Sequence, residues 1–378
     1  MTAQPLTPGA PAVAGRDLDA GVYHLERSLS AAEVEAFGRE IDALRHRHQA
    51  DLGAEDAAYI RRVLKIRRWL EIGGRGLFFV GFLPPAWVAG VLALGAAKII
   101  DNMEIGHNVM HGQYDWMRDP TLNSRTFEWD NVCPSAQWKY THNVVHHTYT
   151  NVLRKDRDLG YAVIRVTDEQ RWRPYYLGNP LYALVLGSMF EWGVALHALE
   201  LDNTHAGRRT WEENRPLLRQ TRRKAARQVL KDYILFPALT GPLFVSTALG
   251  NLAANGVRNV WAFAVIACGH FPDGSVVFRA EDVEGETRAA WYVRQIVSSS
   301  NISGGRLMHL MTGNLSLHVE HHLFPDLPAR RYRMLSAELQ EICARYGVPY
   351  KTGPMWRQVA SVSKHLVRLA LPPRRRHS

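Results

Sequence analysis

"HNVVHHTYTN", residues 142–151, places three histidines within six positions: His142, His146 and His147. Neutral imidazole is the commonest metal ligand among side chains. A lone histidine beside an apolar run is usually a satisfied core residue, so the rest of the chain has to decide. "HNVMH" (107–111) adds His107 and His111, and "HVEHH" (318–322) adds His318, His321 and His322. A single histidine, His270, stands in "AVIACGHFPDG" (264–274). Spacings of i, i+3 and i+4 share one helix face, so each cluster can present converging imidazoles. Adjacent histidines diverge by about 100° around a helix. His147 and one of His321 and His322 can therefore reach a different ion from their neighbours. A single zinc takes four ligands. Nine candidates therefore point to two metals, although imidazole suits zinc, copper, iron and nickel alike.

The chain around these clusters is divided between apolar and basic segments. Its 378 residues carry a net charge of +10. Mean hydropathy is −0.22, which argues against a many-spanning transporter. Yet residues 76–97 and 233–257 contain no charged residue. A membrane helix needs about 20 mostly apolar residues. Breaks at Pro84-Pro85 and at glycines and asparagines in the second run predict two hairpins, over about 69–103 and 233–270, with Arg258 near the outer face. Basic segments precede both hairpins, and neither tip is charged, so the positive-inside tendency places the histidines in the cytoplasm. The expected architecture is mainly α and integral to the inner membrane. Two passes for each hairpin are expected, although the sequence alone also allows a single pass for either.

Residues 1–20 read as a disordered tail without a secretory pattern. Residues 21–370 read as one domain, and 371–378 as a basic tail. Ser30 with Glu33 is a capping-box signature, and Val34, Phe37, Ile41 and Leu44 give the following helix one apolar face. Residues 181–201 are apolar enough to span. Glu191 near the middle argues instead for an interfacial or partly buried helix. Three scattered cysteines form no disulfide framework or cluster pattern. Basic charge beside a membrane meets anionic headgroups, leaving nucleic acid as the weaker partner.

The three histidine clusters, with "DNMEIGHNVMHGQYDWM", "KYTHNVVHHTYTN", "RNVWAFAVIACGHFPDG" and "TGNLSLHVEHHLFPDLPARRY" around them, resemble the boxes of membrane-bound fatty-acyl desaturases. The likeness runs from about Tyr59 to Gly353 and is greatest to the actinobacterial stearoyl-CoA delta-9 type. It implies a non-haem di-iron enzyme with dioxygen as co-substrate, built as four transmembrane helices in two hairpins beneath a cytosolic helical cap that carries the histidine-ligated di-metal site. All nine histidines are its implied ligands: His107, His111, His142, His146, His147, His270, His318, His321 and His322. Two departures from the animal enzymes stand out. The first box has three residues between its histidines where theirs has four, and Ile266 stands where they carry an asparagine. Asn314, four residues before His318, is the candidate replacement on the same helix face.

An unactivated methylene has no acidic proton, so removing its hydrogen is work for a metal centre rather than for side-chain bases. Glu104, Glu320, Asp156 and Asp158 are candidates to orient imidazole N–H groups. Trp138 and Trp116 are candidates for an acyl tunnel. Arg61, Arg62 and Lys65 are candidates for coenzyme A phosphates, or equally for lipid headgroups. The sequence carries no haem loop, cysteine cluster or dinucleotide fingerprint, so no bound flavin or haem is expected. Electrons are expected from an external NAD(P)H-dependent reductase with a ferredoxin-like or flavin carrier. A hydroxylase or mono-oxygenase on the same boxes is the alternative enzyme. A non-catalytic membrane metal- or lipid-binding protein is the alternative from another class.

Overall fold

A computed structural model describes residues 15–272 and 274–373. The described chain is mainly helical, with one short parallel strand pair. Within the segment read as a tail, Leu18 is fully buried and bridges Leu29. The remainder of that tail, residues 1–14, and residues 374–378 of the C-terminal one lie outside the described residues.

Helix α1 (Ala31–Ala50) starts with the capping box anticipated at Ser30: the hydroxyl accepts from the Glu33 amide, and Glu33 reaches back to the Ser30 amide at 2.9 Å. Its face of Val34, Phe37, Ile41 and Leu44 is fully buried among Tyr292, Ile296, Tyr332 and Leu339. Helices α2 (Ala54–Leu77) and α3 (Pro84–Ile99) form the first hairpin. Glycine allows their backbones to touch: a Cβ at Gly74 would stand 2.7 Å from the Leu94 amide nitrogen. Phe79, Val80, Phe82 and Leu83 are exposed at the tip.

Helices α4 (Asn179–Ser188) and α5 (Phe190–Ala198) follow. The longer segments containing them, Pro174–Ser188 and Phe190–His205, meet at a bend of 97°. Helix α6 (Trp211–Leu230) continues through a π-helical stretch, Lys231–Leu235, into Phe236–Leu239. The chain then reverses, and α7 (Phe244–His270) returns. The second hairpin thus turns at 240–243, where Gly241 is left-handed (φ 56°) and is followed by Pro242. The glycine and asparagine positions from 250 to 256, which read as a break, stay helical. Packing explains this: Asn251 donates to the Asp232 carbonyl at 2.6 Å and Asn255 to the Asp232 carboxylate at 3.2 Å.

Arg258 is consequently not near an outer face. It lies midway along α7, buried, with its guanidinium 2.5 Å from Glu191. Beside it, Asn259 accepts the Glu191 N–H (3.3 Å) and donates to the Ser188 carbonyl (2.9 Å), so the broken backbone at the bend is satisfied. Glu191 is therefore a buried partner, in line with the expected partly buried helix. A second buried group joins the hairpins, with Asp232 held by Lys98 (2.8 Å) and Arg75 (3.4 Å). Among the described residues, Gly241–His270 alone is long and apolar enough to cross a membrane as one unbent helix.

The cap contains α8 (Arg288–Val297), strand β1 (Asn301–Ser303), α9 (His318–Leu323), α10 (Tyr332–Tyr346), strand β2 (Thr352–Pro354) and α11 (Met355–Ala370). β1 pairs with β2, Asn301 opposite Thr352. The histidines lie where this cap meets the ends of the hairpins.

Candidate metal centre

π-helical winding enters two of the three histidine clusters, where an ordinary α-helical face was expected. α3 continues as π-helical Ile100–His107, so the first cluster begins at its last residue, and the short helix Ser135–Lys139 continues as π-helical Tyr140–His146, which holds His142 and His146. Bonding from i to i+5 puts more residues into each turn, so residues four apart fall just short of one full turn. The His142 and His146 rings lie face to face at 5.1 Å. The third cluster, in α9, is ordinary α-helix, and His270 is the last residue of α7.

All nine imidazoles are brought together. One ligand nitrogen from each of His107, His111, His142 and His321 lies within 4.8 Å of the others, and so do those of His146, His270 and His322. His318 joins the second group through its Nε2, 2.9 Å from His270 Nε2; His107 and His321 face each other at 3.2 Å. These spacings suit the edge of a coordination shell with metal–nitrogen bonds of about 2.1 Å. His147 lies between the groups, stacked on His322 at 4.6 Å and edge-on to His111 at 4.8 Å. The adjacent pairs divide as the 100° offset requires: His321 faces the first group and His322 the second.

The electrostatics fit metal ions. Buried nitrogens without any hydrogen-bond partner include Nε2 of His111, His142, His146 and His322, both nitrogens of His147, and Nδ1 of His318. Such orphaned acceptors are costly unless a ligand takes them. Burial, reinforced by neighbouring imidazoles, holds His107, His111, His147, His321 and His322 well below the usual histidine range, and His318 down to about 3. They are neutral, the form that ligates. The donor set therefore fits two ions.

Outer partners fix the tautomers. His146 Nδ1 lies 3.0 Å from Asp156, His142 Nδ1 3.3 Å from Asp158, and His322 Nδ1 3.0 Å from Gln295 Oε1. A proton on Nδ1 leaves Nε2 free to face the centre. Burial lowers His146, but the charge and hydrogen bond of Asp156, with the charge of Asp158, more than reverse this and raise it. Burial would raise Asp158, yet hydrogen bonds from His142 and His197 hold it well below the usual carboxylate range. Both aspartates come from a loop with left-handed backbone at Asn151, Arg154, Gly160, Tyr161 and Ala162. Such residues persist only where their surroundings over-determine them. Here Asp156 accepts the backbone N–H groups of Asn151 (2.8 Å) and Asp158 (2.9 Å).

Other expectations are corrected. Glu104 touches no imidazole; it accepts from Tyr59 Oη and Asn314 Nδ2, each at 2.8 Å, and burial pushes its carboxyl up to about 8. Asn314 shares no helix with His318, because α9 begins only at His318 and Gly313 and Asn314 are both left-handed. Glu320 is turned away from the face that His318 and His321 share and accepts from Tyr350 (2.5 Å) and Asn301 (2.9 Å). Trp138 is at the centre, stacked on His142 at 4.3 Å. Trp116 is not: partly exposed, it donates to the Gln113 carbonyl and shares a surface hollow with Arg45 and Asp326. Arg61, Arg62 and Lys65 are exposed on α2. Ile266 packs in an apolar cluster with Ile99, Val265 and Cys268. Sequence reasoning missed Gln295, which no motif marks, and His197, whose only signal is a histidine in an apolar run.

Residues 84–354 match the family model described as fatty acid desaturase, and the chain belongs to that family. It is similar to the NADPH-dependent stearoyl-CoA 9-desaturase of Mycobacterium tuberculosis, 47% identical over 348 residues that cover 91% of this chain and 82% of that one. More distant relatives include the sn-1 linoleoyl-lipid 6-desaturase of Synechocystis (23% identical, covering 85% of this chain and 90% of the relative). Fatty acid desaturase 3 of Bos taurus is 22% identical, covering 80% and 65%.

Proposed function

We propose that this oxidoreductase introduces the delta-9 double bond into a saturated long-chain acyl-CoA, of the stearoyl or palmitoyl type, at a di-iron centre held by the nine histidines. The observation that carries the reading is the pair of converging imidazole groups, several of whose buried nitrogens have no partner within the chain. Bound iron, with dioxygen as co-substrate, supplies the oxidising power that an unactivated methylene requires. Two electrons come from an external NAD(P)H-dependent reductase through a ferredoxin-like or flavin carrier. Burial desolvates the imidazoles and disfavours the charged form of most of them, and Asp156, Asp158 and Gln295 hold three of the rings in register.

The two hairpins are read as four membrane spans in the inner membrane, with the centre on the cytoplasmic side. Support comes from exposed apolar side chains: Trp69, Phe79 and Phe82 on the first hairpin, and Leu239, Val245 and Leu252 on the second. The basic residues flanking each hairpin give the orientation.

The test is the fatty-acid profile, by gas chromatography–mass spectrometry, of a host without its own desaturase, expressing this chain with a compatible reductase. A monounsaturated chain absent from a His318→Ala control supports the reading, and derivatisation locates the bond. Hydroxylated chains alone would replace it with a hydroxylase.

A further inference from the structure

His197 stands outside the nine histidines, near the end of α5, the helix that follows the 97° bend. Its Nε2 lies 3.0 Å from Asp158 Oδ1, while the other oxygen of the same carboxylate lies 3.3 Å from His142 Nδ1. Asp158 thus has one oxygen for each ring. The His197 side chain is only 5% exposed, and Tyr161, left-handed at φ 50°, packs edge-on against it at 5.2 Å. The helix carrying His197 is itself anchored, since Arg258 and Asn259 of α7 grip Glu191 and the Ser188 carbonyl at the bend. A continuous chain of contacts therefore runs from α7 through α5 and Asp158 to one ring of the first imidazole group.

We propose that His197 is a positioning residue for this centre: by donating to Asp158 it fixes the carboxylate that sets the tautomer and angle of His142. This deepens the metal-centre reading and rests on it. Neither Coulombic attraction to the ion nor substrate contact is required of His197. Its work is to hold Asp158 so that His142 Nε2 faces His107, His111 and His321. Outer partners of this kind are worth about 10–100-fold in metal affinity, and a partner one step further out belongs at the lower end.

The experiment is a cobalt(II) titration of the full-length chain in detergent, read by visible absorption and by competition with a chelator. Wild type is expected to take two ions. His197→Leu should weaken one of the two by about 10-fold and alter its cobalt spectrum. His197→Gln, whose amide nitrogen can donate from nearly the position of Nε2, should restore both. Wild-type affinities and spectrum in His197→Leu would overturn the proposal. So would a glutamine variant as defective as leucine, because packing alone would then explain the residue. If the leucine variant does not fold, Asp158→Asn replaces it, with the same selective loss expected and unchanged binding overturning the proposal. A wild-type chain that takes up no metal would instead sink the metal-centre reading beneath it.

Discussion

Gly269 precedes the isolated histidine, and replacing it with alanine separates the metal centre from the fold. A Cβ at this position would stand 2.7 Å from two atoms of the His318 ring and 2.8 Å from a third. Carbon atoms in contact sit about 3.5–4.0 Å apart, so the ring has to retreat by roughly 1 Å. Metal–ligand distances tolerate only about 0.2 Å. The group built from His146, His270, His318 and His322 should therefore lose at least about tenfold in affinity, or about 1.4 kcal/mol. Helix propensity moves the other way, but by less than the roughly 1 kcal/mol of a helix interior, because Gly269 is the penultimate residue of α7. Iron content and chelator competition on the purified variant, with a thermal melt followed by circular dichroism, read both effects. One weakened ion with a melt close to wild type is the expected result. Two ions held at wild-type affinity would refute the steric argument and the placement of His318 at the centre.

Arg258→Met leaves Glu191 charged and buried without its partner, and should cost about 3–5 kcal/mol. The double variant Arg258→Met/Glu191→Leu should recover most of that in detergent-based unfolding. Glu104 prefers its proton when folded, at about 8 against an ordinary 4.5. The folded state therefore binds more protons than the unfolded one between those values, and stability should fall as pH rises through that window by up to about 1.4 kcal/mol per unit. Glu104→Gln should flatten that slope; an unchanged slope would show that Glu104 is not its source. Gly313 is left-handed at φ 64°, and a Cβ there would stand 2.3 Å from the Met103 carbonyl oxygen. Gly313→Ala should destabilise by about 2–5 kcal/mol, measurable as a lowered melting temperature.

Much of the centre was legible because histidine is chemically conspicuous and its spacing is local. Clusters at 107–111, 142–147 and 318–322 announce converging donors wherever the chain carries them. The capping box at Ser30 was legible for the same reason, since its partners lie three residues apart. What failed depended on distant contacts. The glycines and asparagines of α7 look like a break in isolation, and become good helix residues only once Asp232 and Ser188 arrive to accept their amides. Arg258 looked like a boundary marker because Glu191 is 67 residues away. Glu104 and Glu320 were placed on imidazoles by proximity along the chain, whereas Tyr59 and Tyr350 claim them across the fold. The π-helical winding that ends at His107 and the one that carries His142 and His146 have no counterpart in the histidine spacing.

Helix α9 is only six residues long, yet His321 serves one imidazole group and His318 and His322 the other. Burial and the bonds of Glu320 to Tyr350 and Asn301 hold its backbone, which leaves the three imidazole rotamers to be fixed. Whichever ion arrives first bears the entropy of fixing those rings, and the second meets ligands already arranged. Loading should then be positively cooperative, with half-loaded molecules scarce at sub-stoichiometric metal. In a cell short of iron, such a protein would divide into complete centres and empty chains, so that catalytic capacity follows the number of filled molecules rather than the mean occupancy.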